Sequence, residues 1–218
     1  MGWNNENASP RYRILDIETA PHPQAKDWLG PVKPDARLKD EDKKQADIAQ
    51  KEAAQLAECA LHPDKCVIVA LGYFDVGHTE PKVHVCKNED EEREALTAFF
   101  ATLGNAKLVT FYGHRFDLIV VWRRARWLGI KRPRLNIDRY KSPHIDLWWE
   151  LTEKGALREA PGLQWYGKRL GVGTLDKVNG ADIPALVAAG DWQAVHDHCL
   201  SDIALTHVVA NFCEVLEL

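Results

Sequence analysis

The spacing of apolar residues changes period several times along this 218-residue chain, and each change marks an element. The run from Arg11 to Glu18, "RYRILDIE", alternates polar and apolar positions as a strand does. The passage after it, "APHPQAKDWLGPVKP", is expected to be a loop, because each proline removes a donor and fixes φ. From Asp40 to Leu61 an acidic start is followed by Ala49, Ala53, Leu56 and Ala60 at helical spacing, an amphipathic helix with a solvated charged face. "KCVIVALGYFDV" and "KVHVCKN" read as two strands joined through "GHTEP" and expected to pair with the opening strand. A helix over "EDEEREALTAFFATLG", a short strand over "AKLVTFYG" and a helix over "FDLIVVWRRARWLGI" come next. From "HIDLWWELTEKG" onward, the C-terminal third is helical in period, with breaks at Gly and Pro.

Strands crowd the first half and helices the second, which predicts an α/β or α+β fold. One mixed sheet would be covered by helices, with "RILDIE" at its centre. The length and 45% hydrophobic content suit a single domain over residues 1–218, with its core at about 11–213. Trp122, Trp127, Trp148, Trp149 and Trp165 lie in apolar helical segments and are expected to pack in the core.

Charge changes the picture only locally. With 28 Lys+Arg against 32 Asp+Glu, the net charge of −4 excludes a basic field over the whole molecule, so any nucleic-acid footprint must be a patch. The segment Arg123–Lys141 carries eight Lys/Arg against one acid, Asp138, and is either a site for backbone phosphates or a solvated surface. Five scattered cysteines without CxxC spacing point to reduced thiols in a cytoplasm-like compartment. "MGWNNENASPRYR" lacks the apolar run of a signal peptide, and "CVIVALGYF" and "LIVVW" are too short to span a bilayer, so a soluble, cytoplasmic protein without membrane contact is expected.

Candidate chemistry begins inside the first strand. Asp16 and Glu18 are two apart and share one face, with Ile17 on the other. Neighbouring carboxylates repel unless a cation neutralises them or one takes a proton, so the pair reads as half of a metal site or as an exposed strand end. Asp117 in "FYGHRFDLIV" stands at a strand-to-helix junction, where an acid either caps the helix or reaches back to the sheet. Asp202 in "HDHCLSDIALTHVV" has His198 one helical turn before it, on the same face. A zinc site on His196, His198, Cys199 and His207 fails on geometry, since residues 196, 198 and 199 diverge over more than half a helical turn.

Taken in order, "DIETA", "FYGHRFD" and "HCLSD" resemble the three sequence blocks of the DEDD superfamily of 3′→5′ exonucleases, whose fold is ribonuclease H-like. "HIDLWW", "GLQWYGKRLGV" and the Gly-Ala-Asp-Ile run resemble, more narrowly, the branch related to the proofreading domain of family B DNA polymerases, over about Arg13 to Phe212. The resemblance implies a ribonuclease H-like α/β fold: a mixed sheet flanked by helices and a helical C-terminal third. Asp16, Glu18, Asp117 and Asp202 would be the metal-binding acids, and His198 a fifth catalytic residue. Thr19, Ala20, Tyr112, His114 and Phe116, inside or beside the blocks, would be the substrate contacts.

This chain departs from the family at two of those positions. Tyr112 stands where the second block usually has Asn, and His198 where this branch has Tyr. Histidine can take a proton near neutral pH, whereas an unperturbed tyrosine mainly orients water.

The cofactor implied is a Mg²⁺ or Mn²⁺ pair, two ions roughly 4 Å apart. Asp16 would bridge them, Glu18 and Asp202 would complete the site of the attacking water, and Asp117 would support the second ion. The implied activity is metal-dependent hydrolysis at a nucleic-acid 3′ end, with DNA favoured over RNA, single strands preferred and nucleoside 5′-monophosphates released. A nucleic-acid-binding module on the same fold, catalytically impaired by the His198 and Tyr112 changes, is the alternative.

Overall fold

The computed structural model describes residues 11–138, 140–172 and 176–216. The first ten residues, read above for a leader, and Arg139 of the basic segment lie outside the described residues. Five strands, β1 (Tyr12–Pro21), β2 (Cys66–Asp75), β3 (Lys82–Val85), β4 (Lys107–Thr110) and β5 (Ile145–Asp146), form one mixed sheet in the order β3-β2-β1-β4-β5. β2 runs antiparallel to β1 and β3, while β4 is parallel to β1 and β5 to β4. The "RILDIE" strand is therefore central, as its pattern predicts.

Among the described residues seven α-helices flank the sheet: α1 (Glu41–Ala60), α2 (Glu89–Leu103), α3 (Asp117–Trp127), α4 (Leu147–Leu151), α5 (Leu163–Arg169), α6 (Ile183–Ala189) and α7 (Trp192–Phe212). Side chains of Asp40, Asn88 and Asp191 accept the first free backbone N–H groups of α1, α2 and α7, which sets where those helices begin. The period-2 alternation of β1 divides the core. Arg13, Leu15 and Ile17 face α2 and α3 with Phe99, Leu118 and Tyr73, whereas Tyr12, Ile14 and Ala20 face α5, α6 and α7 with Leu163, Ile183 and Ile203.

Several expectations are corrected. β1 does not stop at Glu18 but runs through Thr19 and Ala20 to Pro21, into the proline-rich passage, because Thr19, Ala20 and Pro21 still pair with Ile68, Val67 and Cys66. β3 pairs with β2 alone, not with the opening strand. Ile145 and Asp146, within the stretch read as helical, form the edge strand β5, too short for any period to register.

Trp127 and Trp165 are not core residues, being 67% and 49% exposed. Trp127 lies five residues beyond the buried Trp122, about 140° further round α3. Its ring N–H goes to Asp64 instead.

Between Glu18 and Thr19 the β1–β2 register slips, leaving Val69 as an extra residue on β2. The buried carboxylate of Glu92 accepts the Ile68 N–H beside the slip and receives a two-pronged contact of 2.7 and 2.7 Å from the buried Arg124. Arg124 is thus a structural arginine, withdrawn from the basic segment of which it is part.

Among the described residues no helix is long and apolar enough to cross a membrane. All five cysteines are free thiols.

Candidate active site

Even-numbered side chains of β1 point at α7, so Asp16 and Glu18 face the helix that carries His198 and Asp202. Glu18 is buried; Asp16 is half-buried, with its Oδ2 shielded from solvent and lacking a hydrogen-bond partner. Helix and sheet approach closely here because Gly72, opposite Asp16 in the β1–β2 register, has no side chain. A Cβ there would lie 2.3 Å from Ile203 Cδ1 and 2.6 Å from Cys199 Sγ.

Asp117 arrives from the other side. It is the first residue of α3, whose cap residue, Phe116, makes no side-chain cap bond. The Asp117 carboxyl is buried against the backbone of Ile17 on β1, so the acid reaches back to the sheet.

The turn before it is tight. A Cβ on Gly113 would lie 2.2 Å from Thr110 Oγ1, and Tyr112 adopts φ +68°, a strained conformation for a bulky residue. Buried Asp146 holds this shape by accepting the backbone N–H groups of Tyr112 (2.9 Å), His114 (3.1 Å) and Trp148 (3.0 Å). The Tyr112 ring meets Trp148 edge-on at 5.2 Å, and the Arg115 guanidinium lies over both rings.

His198 is buried on α7 with its two nitrogens in different company. Nδ1 lies 3.0 Å from Asp176 Oδ2, while Nε2 faces Glu18 Oε1 at 3.6 Å and Asp202 Oδ2 at 4.0 Å. A carboxylate can only accept, so Nδ1 carries the proton toward Asp176 and Nε2 is turned into the acid cluster. Gln164 Nε2 donates to Asp202 Oδ1 at 2.9 Å and fixes that carboxylate in turn.

Electrostatics bind the four acids into one unit. Burial, then Glu18, Asp202 and Asp117, push the Asp16 carboxyl well above the usual range, and burial with Asp202 and Asp117 does the same to Glu18. Asp117 is raised to about 7 by burial first, then by Asp146 and Asp202, against favourable backbone contacts. Asp202 rises to about 6, again chiefly from burial, with His198 and Gln164 pulling it down. Such a cluster holds protons or attracts cations.

The donors are hard oxygens, which suit Mg²⁺ or Mn²⁺. Among the described residues no group of three or more His, Cys, Asp or Glu side chains stands placed to hold a metal ion; Asp117 lies against backbone, and Asp202 accepts from Gln164. The set nevertheless fits a divalent ion, because Asp16 Oδ2 is buried without a partner amid three further carboxylates. The zinc grouping is not assembled either: His196 pairs with Asp197, and His207 lies against Phe74.

Of the other residues singled out in the sequence, Tyr112, His114 and Phe116 stand on the turn before Asp117. The half-buried His114 imidazole, 3.4 Å from Ser142 Oγ, is made less basic by burial. Thr19 points to the opposite face of β1 and gives its hydroxyl to the Ala60 carbonyl at 2.7 Å, and Ala20 is packed in the α7-side core.

The family model described as "Predicted 3'-5' exonuclease related to the exonuclease domain of PolB" matches residues 61–217. The chain belongs to this exonuclease-like family. The match takes in Asp117, His198 and Asp202, while Asp16 and Glu18 lie before it. Among solved structures, the family B DNA polymerase from the hyperthermophilic archaeon Pyrobaculum calidifontis aligns over 94% of this chain and 24% of its own, with a TM-score of 0.59 at 12% identity. This likeness establishes the fold for the exonuclease-like chain, which spans about a quarter of that polymerase. No curated protein matches it.

Asp176, Gln164, Asp146 and Gly72 escape the sequence reading. Only Asp146 carried a usable signal, an acid directly before an apolar helical run, which marks an N-cap.

Proposed function

We propose that the chain is a divalent-metal-dependent 3′→5′ exonuclease that hydrolyses the terminal phosphodiester of a single-stranded nucleic acid, DNA before RNA, and releases nucleoside 5′-monophosphates. The observation that carries this reading is that four buried or half-buried carboxylates from β1, α3 and α7 lie within electrostatic reach of one another, each made less acidic by the others or by burial. A fold gains no stability from such an arrangement, so its use lies in holding cations.

Asp16, Glu18, Asp117 and Asp202 would hold two ions, Mg²⁺ or Mn²⁺. When bound, these would acidify the attacking water and neutralise charge developing on the phosphate. His198 Nε2, aimed into the cluster, receives the proton of that water as its oxygen bonds to phosphorus. The P–O3′ bond of the penultimate nucleotide breaks, the departing oxygen takes a proton from solvent to leave a 3′-hydroxyl on the shortened strand, and the released nucleotide carries the 5′-phosphate. Asp176 keeps the proton on His198 Nδ1 and thereby leaves Nε2 free to accept. The strained Tyr112, with Trp148 beside it, presents an aromatic edge to the terminal nucleotide where the family has a small amide. Five free thiols suit a reducing compartment such as the cytoplasm.

The test is a panel of DNA and RNA oligonucleotides, single- and double-stranded, blocked at either end, with Mg²⁺ or Mn²⁺. Stepwise shortening from a free 3′ end, abolished by a 3′-phosphate block and in Asp16→Ala, is the expected result. Binding without turnover would establish the impaired binding module instead.

A further inference from the structure

The solvent side of α3, away from the acid cluster, carries a groove. Its volume is about 560 Å³, and its walls include Trp122, Arg123, Arg126, Arg132, Arg134 and Ile137. No carboxylate lines it, in a chain whose net charge is −4. The side chains of Arg126 and Arg134 are exposed and have no ion-pair or hydrogen-bond partner among the described residues. Arg123 has only a 3.5 Å contact with Asp64, and Arg132 donates to the Ile130 carbonyl.

The groove has a fixed shape. Trp122 donates its ring N–H to the Pro133 carbonyl at 2.9 Å, pinning the loop that carries Arg132 and Arg134 onto α3. Further along the chain, Ser142 Oγ donates to the Asn136 carbonyl at 2.8 Å and sits beside His114, on the turn before Asp117. The segment therefore links the groove to the turn that precedes Asp117.

We propose that this groove binds the backbone phosphates of the substrate strand upstream of its scissile 3′ end, with Arg126 and Arg134 as the principal phosphate ligands. The proposal rests on the exonuclease reading above and assigns that enzyme its hold on a long strand. Guanidinium groups present paired N–H donors that match phosphate oxygens, and two arginines lacking a protein partner are available for them. Nine residues along α3 separate Arg126 from Asp117, about 13 Å at 1.5 Å per residue, or roughly four nucleotides of stacked strand at 3.4 Å each. Strands shorter than about four nucleotides therefore cannot engage the groove while their 3′ end is in the site.

The experiment compares the unmodified protein with the double variant Arg126→Ala/Arg134→Ala on 5′-fluorescein-labelled dT3 and dT20, across a salt series. Matched thermal melts establish that both fold, and Arg134→Ala alone, on the loop, replaces the double variant if α3 is disturbed. The groove predicts that kcat/KM on dT20 falls about tenfold while dT3 changes less than twofold. It also predicts that the log–log salt slope on dT20 becomes shallower by about 1.4, two phosphate contacts at 0.7 each. An unchanged dT20 rate and slope, or equal losses on dT3 and dT20, overturns the proposal. If the unmodified protein hydrolyses neither strand, the exonuclease reading fails and fluorescence anisotropy with dT20 decides the groove separately: binding weakened about tenfold in the variant sustains it, and equal binding overturns it.

Discussion

Asp117 offers a sharp test of the electrostatics, because replacing a strained acid with its neutral isostere is expected to stabilise the metal-free protein. Its carboxyl moves from 3.8 in isolation to about 7 in the fold, mainly through burial. The folded state therefore keeps a proton that the unfolded chain has already released, and stability falls as pH rises from about 4 to about 7. Fully ionised, the group costs on the order of 4 kcal/mol; at pH 5, where the folded state holds its proton, the cost is roughly 1.6 kcal/mol.

Asp117→Asn removes this penalty, so its stabilising effect grows by about 3 kcal/mol between pH 5 and pH 8, or roughly 5–10 °C in Tm for a chain of this size. Differential scanning calorimetry with a chelator present, at both pH values, reads the difference directly. If Asp117 holds an ion as proposed, saturating Mg²⁺ reverses the order, because the cation then stabilises the unmodified protein more than the variant. A Tm offset equal at the two pH values, or a variant less stable at pH 8 than at pH 5 relative to the parent, would refute the reasoning.

Gly72→Ala places a methyl group against Ile203 and Cys199, and should lower stability by about 1–3 kcal/mol in denaturant titrations while cutting nuclease turnover, although no acid is touched. Asp176→Ala releases His198 Nδ1 and is expected to lower kcat about 10- to 100-fold with KM nearly unchanged, and Asp176→Asn, which keeps an acceptor oxygen, to recover part of the loss in steady-state assays. Glu92→Ala strands the buried Arg124 charge and the Ile68 N–H, and should cost about 3–5 kcal/mol in a urea melt without altering the metal requirement of whatever folded protein remains.

The division of the fold into strands and helices was legible because its central strand and major helices are long enough to show their periods. β1 is the clearest case: read as a strand over Arg11–Glu18, it places Asp16 and Glu18 on the α7 face and Ile17 on the other. Asp117 and His198–Asp202 were legible as motifs, yet nothing local to either segment says that they meet; the meeting is made by sheet order and by the bare surface of Gly72. β5 was illegible because two residues show no period. Trp127 was misread because hydrophobicity was taken as burial, although the same helical wheel places it opposite the core. Asp176 and Gln164 act through contacts 22 and 38 residues away in sequence, and such pairings leave no trace in spacing.

The central claim is that these four acids together hold two divalent ions, and a Mn²⁺ titration followed by electron paramagnetic resonance at pH 8, with thymidine 5′-monophosphate present, measures it most directly. Two Mn²⁺ per chain in the unmodified protein, and no more than one in Asp16→Asn, is the predicted result. No bound Mn²⁺ at millimolar concentration, or the same stoichiometry in Asp16→Asn, would contradict the claim.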